Sequence, residues 1–254
     1  GEKGVAWRRL IVHGTPGHGS MPFGADNAVV TAAEVVRRLA GYAAEPRLDR
    51  RWQGFVSSLD LDHATVGALT DPARIGEALA GLDPGVAREL HGCSHTTVSP
   101  NLMRGGSKTN VIADRVELDV DIRTLPGETA ADVAAHLAAA LGDLAHRVDV
   151  EDVLDDPATV SPVDTPLWHA LGEAVRGRVP DGTLVPRLST YFTDARVFRQ
   201  RGAVAYGAGL FSDTVSPFEL ARRFHGVDER IDVGSLQHCT ALWLALATHL
   251  DSTT

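Results

Sequence analysis

Two histidines, an asparagine and an arginine carry most of the chemistry that this sequence could do. His18 lies in Gly14-Thr15-Pro16-Gly17-His18-Gly19-Ser20-Met21-Pro22. Three glycines and two prolines deny that stretch regular structure and hold the imidazole in a stiff turn. A histidine held in this way can aim an N–H at a developing oxyanion, worth about 3–4 kcal/mol when preorganised. It can equally be a loop histidine bonded to a neighbouring carbonyl. Ser20 does not read as a nucleophile, because the motif is not G-x-S-x-G and no strand feeds directly into it.

Arg123 shares strand parity with Asp119 and Asp121. It is either one charge on a polar face, worth at most about 1 kcal/mol, or a bidentate clamp on a substrate carboxylate. Asn110 ends the turn Gly105-Gly106-Ser107-Lys108-Thr109-Asn110, a position where asparagine commonly closes an Asx turn. His225 sits in a loop with Asp228 and Glu229 just after it. One histidine is not a metal site, since a catalytic zinc takes about three protein ligands. His91, Cys93 and His95 alternate too tightly for the usual zinc spacings. The one H-x-D, His249-Leu250-Asp251, reads as accidental at the C-terminal end, and no two glutamates are adjacent.

The elements that must position these side chains follow from periodicity and punctuation. Val5 to Val12 is a strand. A helix runs from about Asp26 to Leu39, capped by Asp26 or Asn27, with Val29, Ala32, Ala33, Val36 and Leu39 on one face. Residues 44–92, with Pro46, Pro72 and Pro84 and short helical patches at 75–82 and 85–90, read as a surface insertion. Thr96 to Met103 is a strand. Val116, Leu118, Val120 and Ile122 alternate with charged residues in the clearest strand of all. Thr129 and Asp132 form a capping box for a helix ended by Gly142. Arg147 to Val153 alternates again. Without the insertion the order is β-α-β-β-α-β, the ferredoxin-like split unit, closing near residue 155. Beyond it, Thr165-Pro166 starts a helix. Strands at Leu184–Leu188 and Ala203–Tyr206, a helix at Thr193–Arg201, and a last helix capped by Asp232 complete an α/β layer. That last helix carries Leu236, Cys239, Trp243, Leu246 and Leu250 on one stripe. The fold class is therefore mixed, α/β with α+β.

Composition narrows the function. The chain has 254 residues and a net charge of −9, with no Lys/Arg block, which argues against nucleic acid. Its longest apolar run, Ala241 to Ala247, is too short for a membrane span. Cys93 and Cys239 form no CxxC and fit a reducing, cytoplasmic compartment. The start at Gly1, without an initiator Met, reads as though cut from something longer.

Taken together, four stretches resemble the co-catalytic dizinc exopeptidases and amidohydrolases. That family includes aminoacylase, succinyl-diaminopimelate desuccinylase, acetylornithine deacetylase and glutamate carboxypeptidase. The stretches are Gly14 to Pro22 leading to Asp26-Asn27-Ala28; Gly105-Gly106-Ser107-Lys108-Thr109-Asn110-Val111-Ile112; Val120-Asp121-Ile122-Arg123; and Phe224-His225-Gly226-Val227-Asp228-Glu229-Arg230-Ile231. Thr193-Asp194-Ala195-Arg196 fits as well. The resemblance implies that His18, on a lid or dimerisation domain, reaches the partner subunit's active site and stabilises the tetrahedral intermediate there. It implies that Asn110, Arg123 and Thr193 contact substrate, Arg123 through the carboxylate, and that His225 is a zinc ligand. The reaction implied is hydrolysis of an amide in an N-acyl amino acid or peptide, with two zinc ions (other divalent metals being compatible) and a homodimer formed through the lid.

Against the family pattern, an H-x-D ligand pair, a bridging Asp and a Glu-Glu pair are missing from the sequence. The chain then reads as a lid over residues 1–155, with an insertion at about 44–92, followed over 156–254 by the C-terminal part of a catalytic domain. Such a fragment is inactive alone. The insertion also departs from the pattern, and in some relatives an enlarged lid does for one chain what a dimer does for two. The alternative is a non-catalytic dimerisation or binding module.

Overall fold

The computed structural model describes residues 1–215, 219, 223 and 227–251. At its centre is strand β1 (Gly4–His13), whose Ala6, Leu10 and Val12 side chains enter the main core. β1 pairs antiparallel with β5 (Arg115–Thr124) on one side and with β6 (Val148–Asp156) on the other. β3 (Thr97–Gly105) lies outside β5, so the sheet order is β3-β5-β1-β6. Helices α1 (Ala28–Gly41) and α6 (Ala130–Leu141) cover one face, burying Val35, Leu39, Val133 and Leu137 against Leu10, Leu118 and Ile122. Each such side chain contributes about 1.5–3 kcal/mol. This is the expected ferredoxin-like unit. A second, two-residue ladder pairs β2 (Gly17–His18) with β4 (Val111–Ile112).

The expected caps are in place. The amide of Val29 donates to Asn27 Oδ1 at 3.0 Å. Thr129 and Asp132 form both halves of a capping box. The helix they start ends at Gly142, which takes a positive φ of 56°.

The phase of α1 differs from expectation. Ala28, Ala32, Val35 and Leu39 are buried, while Val29 is exposed. Adjacent apolar pairs (Val29-Val30, Ala32-Ala33, Val35-Val36) allow either phase, and packing on the sheet selects one.

The insertion is more than a surface excursion. It forms α2 (Arg50–Ser57), α3 (His63–Leu69), α4 (Ile75–Ala80) and α5 (Pro84–Ser94) around its own core of Trp52, Val56, Leu69, Ile75, Leu79 and Leu90. Trp52 Nε1 donates to the Leu69 carbonyl at 2.8 Å inside that core.

After β6 come α7 (Pro166–Arg176), α8 (Ala195–Gln200) and α9 (Val233–Asp251). Ala170, Leu171 and Ala174 of α7 pack on Leu242 and Leu246 of α9. The expected stripe on α9 is shifted: Ser235, Leu242 and Leu246 are buried, whereas Leu236 and Trp243 are exposed. Leu242-Trp243-Leu244 is apolar on consecutive faces, so the sequence leaves that phase open. Neither 184–188 nor 203–206 forms a strand. An extended segment becomes a strand only beside a ladder partner, and near these segments the described residues provide one bridge, Glu2 to Ser189. No helix among the described residues is long and apolar enough to cross a membrane.

Candidate functional site

The small β2–β4 ladder brings together two of the residues singled out by chemistry. His18 sits opposite Val111, and the Gly19 amide donates to the Asn110 carbonyl at 2.8 Å. A Cβ on Gly19 would lie 3.0–3.2 Å from the Asn110 backbone, so glycine lets the two backbones approach this closely without displacement. The loop is anchored at its base. Gly14 N–H donates to the Asp114 carbonyl at 2.8 Å, and Thr15 N–H to the Asp26 carbonyl at 2.7 Å. Arg147 then ties the Asp26 carboxylate to the His13 carbonyl, pairing with the first and donating to the second. At the tip, Met21 N–H closes a turn on the His18 carbonyl at 3.0 Å. His18 and Asn110 are both exposed, and Ser20 is the hydrogen-bonding neighbour of the His18 ring, with Oγ 2.7 Å from Nδ1.

Arg123 stands at the other end of the sheet. It pairs with Val5, whereas Arg115, at the loop end, pairs with His13. Eight residues of strand separate the two ends, about 26 Å. Arg123 does lie on the polar face, where it holds Asp121 through both carboxylate oxygens at 2.7 and 2.9 Å.

Thr193 belongs to this second end. Its Oγ1 and amide donate to Glu2 at 2.6 and 2.9 Å. Arg199 meets the same carboxylate at 2.8 Å, with both side chains about 5% exposed or less. Burial pushes the Glu2 pKa up, but the hydrogen bonds from Thr193 and then Arg199 outweigh it and hold the pKa below its usual value. Next to Glu2, the buried Lys3 donates from Nζ to the His95 carbonyl at 2.6 Å. Burial pulls the Lys3 pKa down to about 8, against smaller upward pulls from Cys93 and Glu128. Sequence reasoning missed Glu2 and Lys3. Two adjacent charges ahead of a strand carry no periodic signal, and only the tertiary fold buries them.

His225 lies outside the described residues. Among those described, no group of three His, Cys, Asp or Glu side chains could hold a metal ion, so this donor set does not fit a metal centre. The His91 and His95 rings stack 4.2 Å apart. Burial, followed by the neighbouring His91, lowers His95 to about 4, and burial raises the Cys93 thiol to about 11. Cys93 and His95 are buried, and His91 is half-buried against the His95 ring.

Residues 1–149 match a family model described as the peptidase dimerisation domain. A probable carboxypeptidase S-like 2 from Dictyostelium discoideum is 23% identical over 238 residues, covering 91% of this chain and 44% of its own length. The di-peptidase Dug1p from Saccharomyces cerevisiae superposes with a TM-score of 0.61 at 14% identity, over 99% of this chain and 55% of its own. An M20 family metallo-carboxypeptidase from Sulfolobus solfataricus gives a TM-score of 0.54 at 14% identity, over 78% of this chain and 55% of its own. At these identities the structural likeness is one of fold. The chain spans about half the length of these relatives.

Proposed function

The chain belongs to the M20 peptidase dimerisation-domain family, and on that premise we propose that it forms the lid and the C-terminal part of the catalytic domain of an amide-hydrolysing enzyme. The boundary between the two is near residue 155. The substrate is an N-acyl amino acid or a peptide. Dependence on two zinc ions, with His225 as a ligand, comes from the family resemblance. The described residues supply no ligand set, and in this reading the chain alone, without the family's H-x-D pair and Glu-Glu pair, is inactive. Its two unpaired cysteines fit a cytoplasmic setting.

Within this reading, His18 directs an N–H at the oxyanion that develops on the scissile carbonyl, and Asn110 lines the same approach. Arg123 receives the substrate carboxylate, exchanging Asp121 for it as a bidentate partner. Thr193, anchored on Glu2, borders that end.

The observation that carries the reading is the separation of the two pairs. About 26 Å of strand lies between them, whereas a three-residue substrate spans at most about 10 Å. One chain cannot place both pairs on one small substrate. A homodimer can, with His18 and Asn110 of one copy completing the site that holds Arg123 and Thr193 of the other.

Complementation in the intact protein tests this. His18→Ala and Arg123→Met variants, each inactive alone, should recover about a quarter of wild-type activity when co-refolded in equal amounts, because half the dimers then carry one whole site. No recovery despite dimer exchange would place both pairs in one chain's site. The second reading is a binding module without catalysis, favoured by the absence of a metal-ligand group among the described residues. It predicts that the native protein has no amidase activity and no more mass than these 254 residues.

A further inference from the structure

The two contacts from Ser20 to the His18 ring differ in what they permit. The Ser20 backbone N–H points at Nδ1 from 3.2 Å, and a backbone amide can only donate. That contact favours Nδ1 as an acceptor, and at 3.2 Å it is the longer of the two. With Nδ1 accepting, the Ser20 hydroxyl, 2.7 Å from the same nitrogen, donates as well. In a neutral imidazole the ring proton is left on Nε2.

We propose that Ser20 is a positioning residue: it locks His18 in the Nε2–H tautomer and sets the ring angle, so that Nε2–H is the single donor the histidine offers. This rests on the reading of His18 as the oxyanion donor. An exposed histidine has two tautomers and free rotation about its side-chain bonds, and both reduce the fraction of time that a donor points at the reacting oxygen. Two donors on Nδ1 remove both freedoms at once. The local backbone makes this possible. The Met21-to-His18 turn brings the residue-20 amide to the Nδ1 edge of the ring, and Gly19 leaves room for the turn to lie against Asn110. The pairing with Ser20 also assigns a role to a hydroxyl that the sequence excludes as a nucleophile.

The test combines a spectrum with kinetics on the intact protein. Two-bond ¹H–¹⁵N correlation near about pH 8, above the ordinary histidine range, reads which ring nitrogen of His18 is protonated. Wild type should show Nε2–H. Ser20→Ala keeps the backbone donor but loses the hydroxyl. It should shift His18 towards a tautomer mixture and lower kcat about five- to tenfold, with KM within about twofold. Ser20→Thr, which keeps a hydroxyl, should restore both. An Nδ1–H signal in wild type overturns the proposal. So does Ser20→Ala with an unchanged tautomer, whatever its kcat. If His18→Ala retains full kcat, the oxyanion reading fails, and with it the catalytic role of Ser20. If His18→Ala is inactive but Ser20→Ala behaves as wild type, the Ser20 proposal alone fails.

Discussion

Glu2 and Arg199, 197 residues apart in sequence, meet 2.8 Å apart in a buried ion pair. The Glu2 carboxylate also accepts from Thr193, and the Glu2 backbone bridges to Thr159 and Ser189. This one side chain fastens the entry of the central sheet strand to the C-terminal elements. Removing one member of a buried pair strands the other charge.

Arg199→Met should therefore destabilise the protein by about 3–5 kcal/mol in urea unfolding. The folded pKa of Glu2 lies below its unfolded value. Its contribution is complete above about 4.5 and is lost as the pH falls below that. The acid side of the stability curve should flatten in Glu2→Gln. An unchanged acid limb would show that Glu2 is not held in this way.

Lys3 has the opposite dependence. Its folded pKa is about 8 against an ordinary 10.5. Between those values the unfolded chain binds more protons, so stability should rise with pH, by on the order of 3 kcal/mol from this group. Lys3→Met should raise Tm at neutral pH and remove that alkaline gain. A Lys3→Met curve parallel to wild type would contradict the assignment.

His18→Ala in the intact enzyme should lower kcat about a hundredfold or more while leaving metal content unchanged, as read by elemental analysis of the purified protein. Loss of metal would mark His18 as a ligand instead.

Gly19→Ala should act through Asn110. The added Cβ meets the Asn110 backbone at 3.0–3.2 Å, which pushes the two strands of the ladder apart by a few tenths of an ångström. Activity should fall about tenfold or more with Tm within a few degrees of wild type, since the loop is exposed and contributes little to the core. Full activity would show that the ladder does not set the geometry.

Trp52→Ala should cost about 3–5 kcal/mol of insertion stability, because the ring is buried and its N–H holds the Leu69 carbonyl. Limited proteolysis should then cut within residues 50–94 first, with the four-stranded sheet surviving. Uniform cleavage would show that the insertion has no core of its own.

Strand β5 was legible because it has one buried face. Val116, Leu118, Val120 and Ile122 announce their phase by alternation. Asp49, Asp62 and Asp83, each capping a helix of the insertion through backbone amides, were readable signals that short, proline-rich spacing masked. The phases of α1 and α9 were not legible, because consecutive apolar residues leave two faces equally greasy. His18, Asn110, Arg123 and Thr193 could be picked out by type and motif. That Asn110 goes with His18 and not with Arg123 could not, since it depends on which end of a ladder each one occupies. The β2–β4 ladder is too short to leave a period in the sequence.

β1 is pinned at both extremities, by Glu2 to Thr193 and Arg199 and, past His13, by Arg147 to Asp26. It is also hydrogen-bonded to a neighbour on each side. A ten-residue strand braced in this way is a stiff rod about 33 Å long. Mechanically it is a beam clamped at both ends: Glu2 holds one and the Arg147–Asp26 pair the other, so the base of the histidine loop is fixed to the sheet and cannot swing independently of it.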